Sequence, residues 1–142
     1  MSIIQWNCRG LRSNYEELKS LVCDNNHSVV CLHETFLKDQ NHITFKGYDI
    51  YNKTLLSHDN KPIGGVSLII KRGIPHQTLN ITTSLQVVAC TLSLHKIFTI
   101  ASIYIPPKYK LSNNDLNNII SQLPSPFLLC GDFNAHSEIW GC

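Results

Sequence analysis

Apolar and polar positions along this chain fall into short runs, most of them with the length and composition of strands. Residues 3–7, 29–33, 47–52, 65–71, 85–94, 97–105 and 127–131 are the strand candidates, rich in Val, Ile, Leu and aromatic residues. Val66-Ser67-Leu68-Ile69-Ile70 is almost continuously apolar rather than alternating, which suits a strand covered on both faces. Leu94 and Ile97 bracket His95-Lys96, which predicts a hairpin with a two-residue link, although the favoured Asn-Gly chemistry is missing. Pro106-Pro107 stops the strand that follows, because proline cannot donate to a ladder.

Two segments switch to a helical period. Ser13-Asn14-Tyr15-Glu16 has the spacing of a capping box, and Tyr15, Leu18, Leu21 and Val22 then form one apolar stripe. Ser112-Asn113-Asn114-Asp115 opens the second helix, with Leu116, Ile119, Ile120 and Leu123 predicted inward and Pro124 as the stop. The order begins β-α-β, runs through consecutive strands and closes with α-β. Sheets with helices on their outer faces are expected, as one domain without repeat, low-complexity tract or linker.

Composition narrows the picture. The 142 residues suffice for one buried core, and the chain is 43% hydrophobic and only 15% charged. A formal net charge of +2, from 12 basic and 10 acidic residues, is too small to attract nucleic acid through bulk electrostatics, so any such affinity must come from local placement. Met1-Ser2-Ile3-Ile4-Gln5-Trp6 reads as a strand rather than a secretory leader, and no apolar run is long enough to span a bilayer. The six cysteines form no Cys-x-x-Cys pair, so reduced thiols packed as small hydrophobes are expected, with a nuclear or cytoplasmic setting rather than a secreted one.

The chemistry sits where the strands run out. Asn7 follows an apolar strand and precedes Gly10, which permits a tight turn; a turn asparagine bonding its own backbone is the plain alternative. Val29–Leu32 delivers His33-Glu34-Thr35, and a glutamate there is costly to desolvate unless it pairs or holds a cation. A hard divalent cation that keeps several waters fits this sparse carboxylate supply; a solvated strand-end Glu is the alternative. Tyr104 could donate to a phosphate oxygen or relay a proton, although a tyrosine on a strand is commonly just core. Asp132, Asn134 and His136 alternate after Phe127-Leu128-Leu129-Cys130, which predicts all three on one side. Asp132 can orient or deprotonate a water and Asn134 can bond a phosphate oxygen, while a lone His136 is more often structural. Gly64-Gly65 is assigned no chemistry, only a turn or a close backbone approach. Asn7, Glu34, Tyr104 and Asp132/Asn134 all lie at strand C-termini, where α/β sites are built, and that coincidence favours a functional reading over isolated turns.

Gln5-Trp6-Asn7-Cys8-Arg9-Gly10-Leu11, Leu32-His33-Glu34-Thr35-Phe36-Leu37, Gly64-Gly65-Val66, Tyr104-Ile105-Pro106-Pro107 and Gly131-Asp132-Phe133-Asn134-Ala135-His136 together resemble the endonuclease/exonuclease/phosphatase family. Within it they look most like the apurinic-type endonuclease domain of non-LTR retrotransposons, in the family's order and along the whole chain. The resemblance implies a four-layer α/β sandwich, here truncated before the C-terminal strands, so that residues 1–142 form an incomplete domain. It implies Mg²⁺-dependent nicking of DNA (Mn²⁺ as substitute), with a covalently linked reverse transcriptase in the full element and no membrane partner. Carried over by position, Glu34 is the metal ligand with Asn7 beside it, Tyr104 contacts the phosphate, Asp132 activates water and Asn134 braces the phosphate. Arg9 and His136 are candidate substrate contacts. Repair-type members carry aspartate at the position of Arg9, so Arg9 matches the retroelement branch; His33 stands where that branch commonly has glutamine. The family's later Ser/Asp-His motif has no counterpart in these residues, which implies an inactive fragment. A non-catalytic remnant with weak DNA binding and a small-molecule phosphatase of the same superfamily are the competing functions.

Overall fold

The computed structural model describes residues 1–135. In chain order the elements are β1 (Ile3–Asn7), α1 (Tyr15–Lys19), β2 (Val29–His33), β3 (Tyr48–Lys53), β4 (Val66–Lys71), β5 (His76–Leu79), β6 (Gln86–Ser93), β7 (Ile97–Tyr104), α2 (Asn113–Ser121) and β8 (Phe127–Asp132). They form two four-stranded sheets, ordered β1-β2-β4-β3 and β5-β6-β7-β8. The pairs joined through a helix, β1 with β2 and β7 with β8, are parallel; the other neighbours run antiparallel.

Alternation along each strand sorts side chains into layers. In β2 and β4, Val29, Cys31, Leu68 and Ile70 meet Cys90, Leu92 and Ile100 of the second sheet, closing the central core. Val30, Leu32 and Ile69 face the other way and pack on Leu18 and Val22 of the first helical segment. On the far side Val87, Ala89, Ala101 and Ile103 pack on Ile119 and Leu123. The result is helix, sheet, sheet, helix: the expected four-layer α/β sandwich. Burial of β2 on both faces explains its continuous apolar run.

Several expectations need correction. The first helix is capped at Asn14 without any side-chain cap, so the Ser13–Glu16 box does not form. Asn14 Nδ2 donates instead to the carbonyls of Cys8 (2.7 Å) and Gly10 (3.2 Å), closing the loop after β1. After Lys19 the helix widens into a π-helical turn over Ser20–Asp24, which still places Val22 inward. The Ser112–Asp115 box is present, but Ile120 is 40% exposed: within the helix only Ile119 is fully buried, and Leu123 joins the core just past its end. The connection between β6 and β7 is three residues, 94–96, with Ser93 opposite Ile97. The strand at His76–Leu79 was not expected; its polar residues lack alternation, and pairing with β6 makes it an edge strand. Cys8, Cys31 and Cys90 are buried free thiols, Cys23 and Cys130 half-buried ones. Among the described residues, no helix is long and apolar enough to cross a membrane.

Candidate active site

The parallel pairs set the site. In β1 and β2, Asn7 lies beside His33, so Asn7 and Glu34 leave the first sheet together. In β7 and β8, Tyr104 lies beside Asp132, so both leave the second sheet together. Asn7 Nδ2 donates to Glu34 Oε1 at 2.9 Å and to Asp132 Oδ2 at 2.8 Å, joining the carboxylates of two sheets through one amide. Tyr104 Oη donates to Glu34 Oε1 at 3.4 Å. Burial, then the Glu34 charge, pushes the Tyr104 hydroxyl above its ordinary range, so it acts as a donor rather than a base.

Backbone geometry aims these groups. Glu34 has φ +53 and Asn134 φ +44, left-handed conformations that cost an ordinary residue and persist only where the surroundings enforce them. The loop after Glu34 is held by bonds from Thr35 N to Gly65 O (3.3 Å) and from Phe36 N to Gly64 O (2.9 Å). Gly64 allows Tyr104 to pack close: a Cβ there would stand 2.6 Å from the Tyr104 ring. Gly65 N donates to Gln86 Oε1, a buried link from the first sheet to the second. The Gly64-Gly65 pair thus fits the expected close approach.

Asn134 departs from the sequence expectation. β8 ends at Asp132, so strand alternation does not continue to Asn134. Its N–H donates to Asp132 Oδ1 at 3.1 Å and its Nδ2 to Ile105 O at 2.8 Å, so it orients Asp132 and ties down the Tyr104–Ile105 backbone. The Asn7 amide presents N–H groups to the carboxylates, while its Oδ1 accepts from Arg9 N at 3.3 Å. Arg9 has φ +44 and an exposed side chain, between hollows of about 430 Å³ (with Trp6, Asn7 and Asn14) and about 460 Å³ (with Arg12, Ser13 and Phe36). His136 lies outside the described residues. Sequence reasoning missed Gln5, whose Nε2 donates to Gly131 O at 3.0 Å, and Gln86. Both are polar residues in otherwise apolar strands, which was the available signal.

Nearby thiol and imidazole groups are tuned away from charge. Burial pushes the Cys8 thiol up to about 11, so it remains protonated. Burial also lowers His33 to about 4, against the smaller opposing pull of Asp132, so the imidazole is neutral at pH 7. Ion pairs among the described residues join Lys61 to Asp59, and Arg72 and His76 to Asp49; none reaches Glu34 or Asp132. The two carboxylates, with no cationic side chain in an ion pair, offer oxygen donors that suit a hard divalent ion with retained waters, once the Asn7 N–H groups that now bond them turn away. Among the described residues no group of three or more His, Cys, Asp or Glu forms a closed metal cage.

The fold and the strand-end carboxylates define an endonuclease/exonuclease/phosphatase architecture. A retrotransposon endonuclease domain, that of TRAS1, a telomere-specific non-LTR element, superposes with TM-score 0.71 and 19% identity, over 97% of this chain and 63% of that one. An endonuclease/exonuclease/phosphatase family protein from Leptotrichia buccalis gives TM-score 0.69 and 15% identity, over 95% of this chain and 67% of its own. The fold is therefore that of the endonuclease/exonuclease/phosphatase proteins, and residues 98–142 match the family model described as endonuclease-reverse transcriptase. The chain is also 30% identical over 139 residues to the RNA-directed DNA polymerase from mobile element jockey of Drosophila melanogaster, covering 96% of this chain. The chain spans only 15% of the length of that relative.

Proposed function

We propose that this chain is the N-terminal part of a divalent-metal-dependent DNA endonuclease domain from a non-LTR retrotransposon polyprotein, which nicks target DNA to leave a 3′-hydroxyl. The observation that supports it most is the single Asn7 amide bonded to Glu34 and Asp132 from opposite sheets. Glu34 and Asn7 would hold Mg²⁺ (or Mn²⁺), the amide turning its Oδ1 inward, and the ion would stabilise charge on the scissile phosphate. Asp132, oriented by the Asn134 N–H, accepts a proton from the attacking water as a P–O bond forms. Tyr104, kept protonated, donates to a phosphate oxygen. The bond from phosphorus to the 3′-oxygen breaks, and that oxygen takes up a proton. Arg9, exposed beside the cleft, contacts the DNA backbone. In a full element the domain is covalently linked to a reverse transcriptase.

Residues 1–142 alone are expected to cut DNA negligibly. The comparison domain is longer, and each missing preorganised group in such a site typically costs about 10²–10³ in rate. The experiment is a supercoiled-plasmid nicking assay with Mg²⁺, using this chain, its Asp132→Ala variant and a form extended by a complete downstream half, with a soluble phosphomonoester run in parallel. Nicking that appears only in the extended form and disappears with Asp132→Ala supports the reading. Nicking by the short chain that Asp132→Ala abolishes overturns the inactivity of the fragment. Turnover of the phosphomonoester without nicking overturns the DNA substrate.

A further inference from the structure

His33 and Ser102 are both fully buried, and His33 Nε2 lies 3.1 Å from Ser102 Oγ across the gap between the two sheets. Apolar side chains and thiols make up most of the central layer around them, with buried Gln86 as a further polar group between the sheets. A neutral hydrogen bond in such a place contributes little net stability over a well-packed apolar pair, since both groups must first leave water. His33 Nδ1 moreover has no hydrogen-bond partner, so this bond is not a stability optimum. What the pair does hold is position.

His33 is the last residue of β2, immediately before Glu34, and pairs with Asn7 across the ladder. Its carbonyl accepts from Cys8 N at 3.0 Å, fixing the start of the loop that follows Asn7. Ser102 precedes Tyr104 by two residues on β7 and pairs with Cys130, two residues before Asp132 on β8. Alongside the Gly65–Gln86 and Gln5–Gly131 links, this bond ties the strand ends that carry Asn7 and Glu34 to those that carry Tyr104 and Asp132. Two residues of strand amount to about 7 Å, so a slip of the sheets at this point is passed almost undiminished to the carboxylates.

We infer that His33, bonded to Ser102, is a positioning residue that sets the distance between Glu34 on one sheet and Tyr104 and Asp132 on the other. Its effect on metal binding rests on the reading of the cleft given above; its effect on geometry does not. Because the ring acts through Nε2, a Gln amide can replace it, whereas Leu fills the volume and makes no bond.

The test compares His33→Leu, His33→Gln and Ser102→Ala with the parent 142-residue chain. The readouts are the melting temperature, the NMR signals and solvent exchange of the Asn7 side-chain amide without metal, and Mn²⁺ affinity from paramagnetic broadening. His33→Leu and Ser102→Ala are expected to keep the melting temperature within a few degrees, yet to shift the Asn7 amide signals and speed their exchange. Mn²⁺ affinity should fall about 10-fold or more in both, as when groups that orient a ligand are removed, and His33→Gln should restore it. Unchanged Asn7 signals in a folded His33→Leu or Ser102→Ala chain would overturn the inference. Shifted Asn7 signals in the variants, with a parent chain that binds no Mn²⁺ near Glu34, would leave the positioning role intact and overturn the metal reading instead.

Discussion

The carboxamide nitrogen of Asn7 lies 2.8 Å from the Asp132 carboxylate, although 125 residues of chain separate them. The same nitrogen bonds Glu34, so two anionic groups from different sheets meet on one neutral donor. Such an arrangement is poised between repulsion and capture of a cation.

Asn7→Asp should expose that balance. A third carboxylate in contact with Glu34 and Asp132 adds like-charge repulsion of about 1–3 kcal/mol at a partly screened site. The variant should melt below the parent in chelator, and Mg²⁺ or Mn²⁺ should raise its melting temperature more than the parent's. A variant whose melting is indifferent to divalent ions would count against a cation slot between these groups.

Glu34→Gln addresses the ligand itself. One or two carboxylates make a weak cage, so Mn²⁺ binding to the parent is expected to be weak and to broaden resonances near Asn7 and Glu34 first. The amide replacement should remove that broadening while the fold persists. Broadening centred elsewhere in the parent would refute the assignment.

Gly64→Ala tests how Tyr104 is held. The position has φ +58, where a Cβ costs about 1–2 kcal/mol by itself, and the added atom would stand 2.6 Å from the Tyr104 ring. The ring must move, and its bond to Glu34 with it. A loss of at least about 1 kcal/mol in chemical denaturation is expected, together with a shift of the Tyr104 ring signals. An unperturbed ring would mean that Gly64 serves only the turn.

Much of this arrangement was legible in the chain because it is local. Val29–His33 is buried on both faces and reads as a continuous apolar run, and the Ser112–Asp115 box is written in four consecutive residues. What was not legible depends on tertiary partners. β5 exists because β6 pairs with it, and its sequence His-Gln-Thr-Leu carries no period. Asn134 turns toward Ile105 because β8 stops at Asp132, a boundary that no residue announces. Strand-end position pointed to Asn7 and Glu34 as candidates, but not to one amide holding both carboxylates.

Cys90 gives a pH test of the central core. Burial raises its thiol from 9.0 to about 12 in the folded chain, whereas the unfolded thiol ionises near 9. The stabilisation is fully present below pH 9 and is lost as pH climbs toward 12, because ionisation then favours the unfolded chain. The expected slope is about 1.4 kcal/mol lost per pH unit in that window. Denaturation at pH 8 and pH 10.5 should show a smaller loss in Cys90→Ala than in the parent. Equal losses would place the ionising group elsewhere.

The last prediction concerns the open side of the sandwich. β1 and β8 are edge strands of their sheets, and among the described residues no strand pairs with their outer edges. No residue of β8 is fully buried, and Leu128 is 39% exposed. An edge of unpaired N–H and C=O groups bearing apolar side chains is a template for pairing with another chain. A polypeptide of these 142 residues is therefore expected to self-associate with rising concentration in sedimentation velocity. Leu128→Lys should shift it toward monomer without lowering its melting temperature, since the residue is exposed and a charge on an edge opposes further pairing. A parent chain that stays monomeric with a sharp melt would show that its two edges are already protected, and the edge argument would fail.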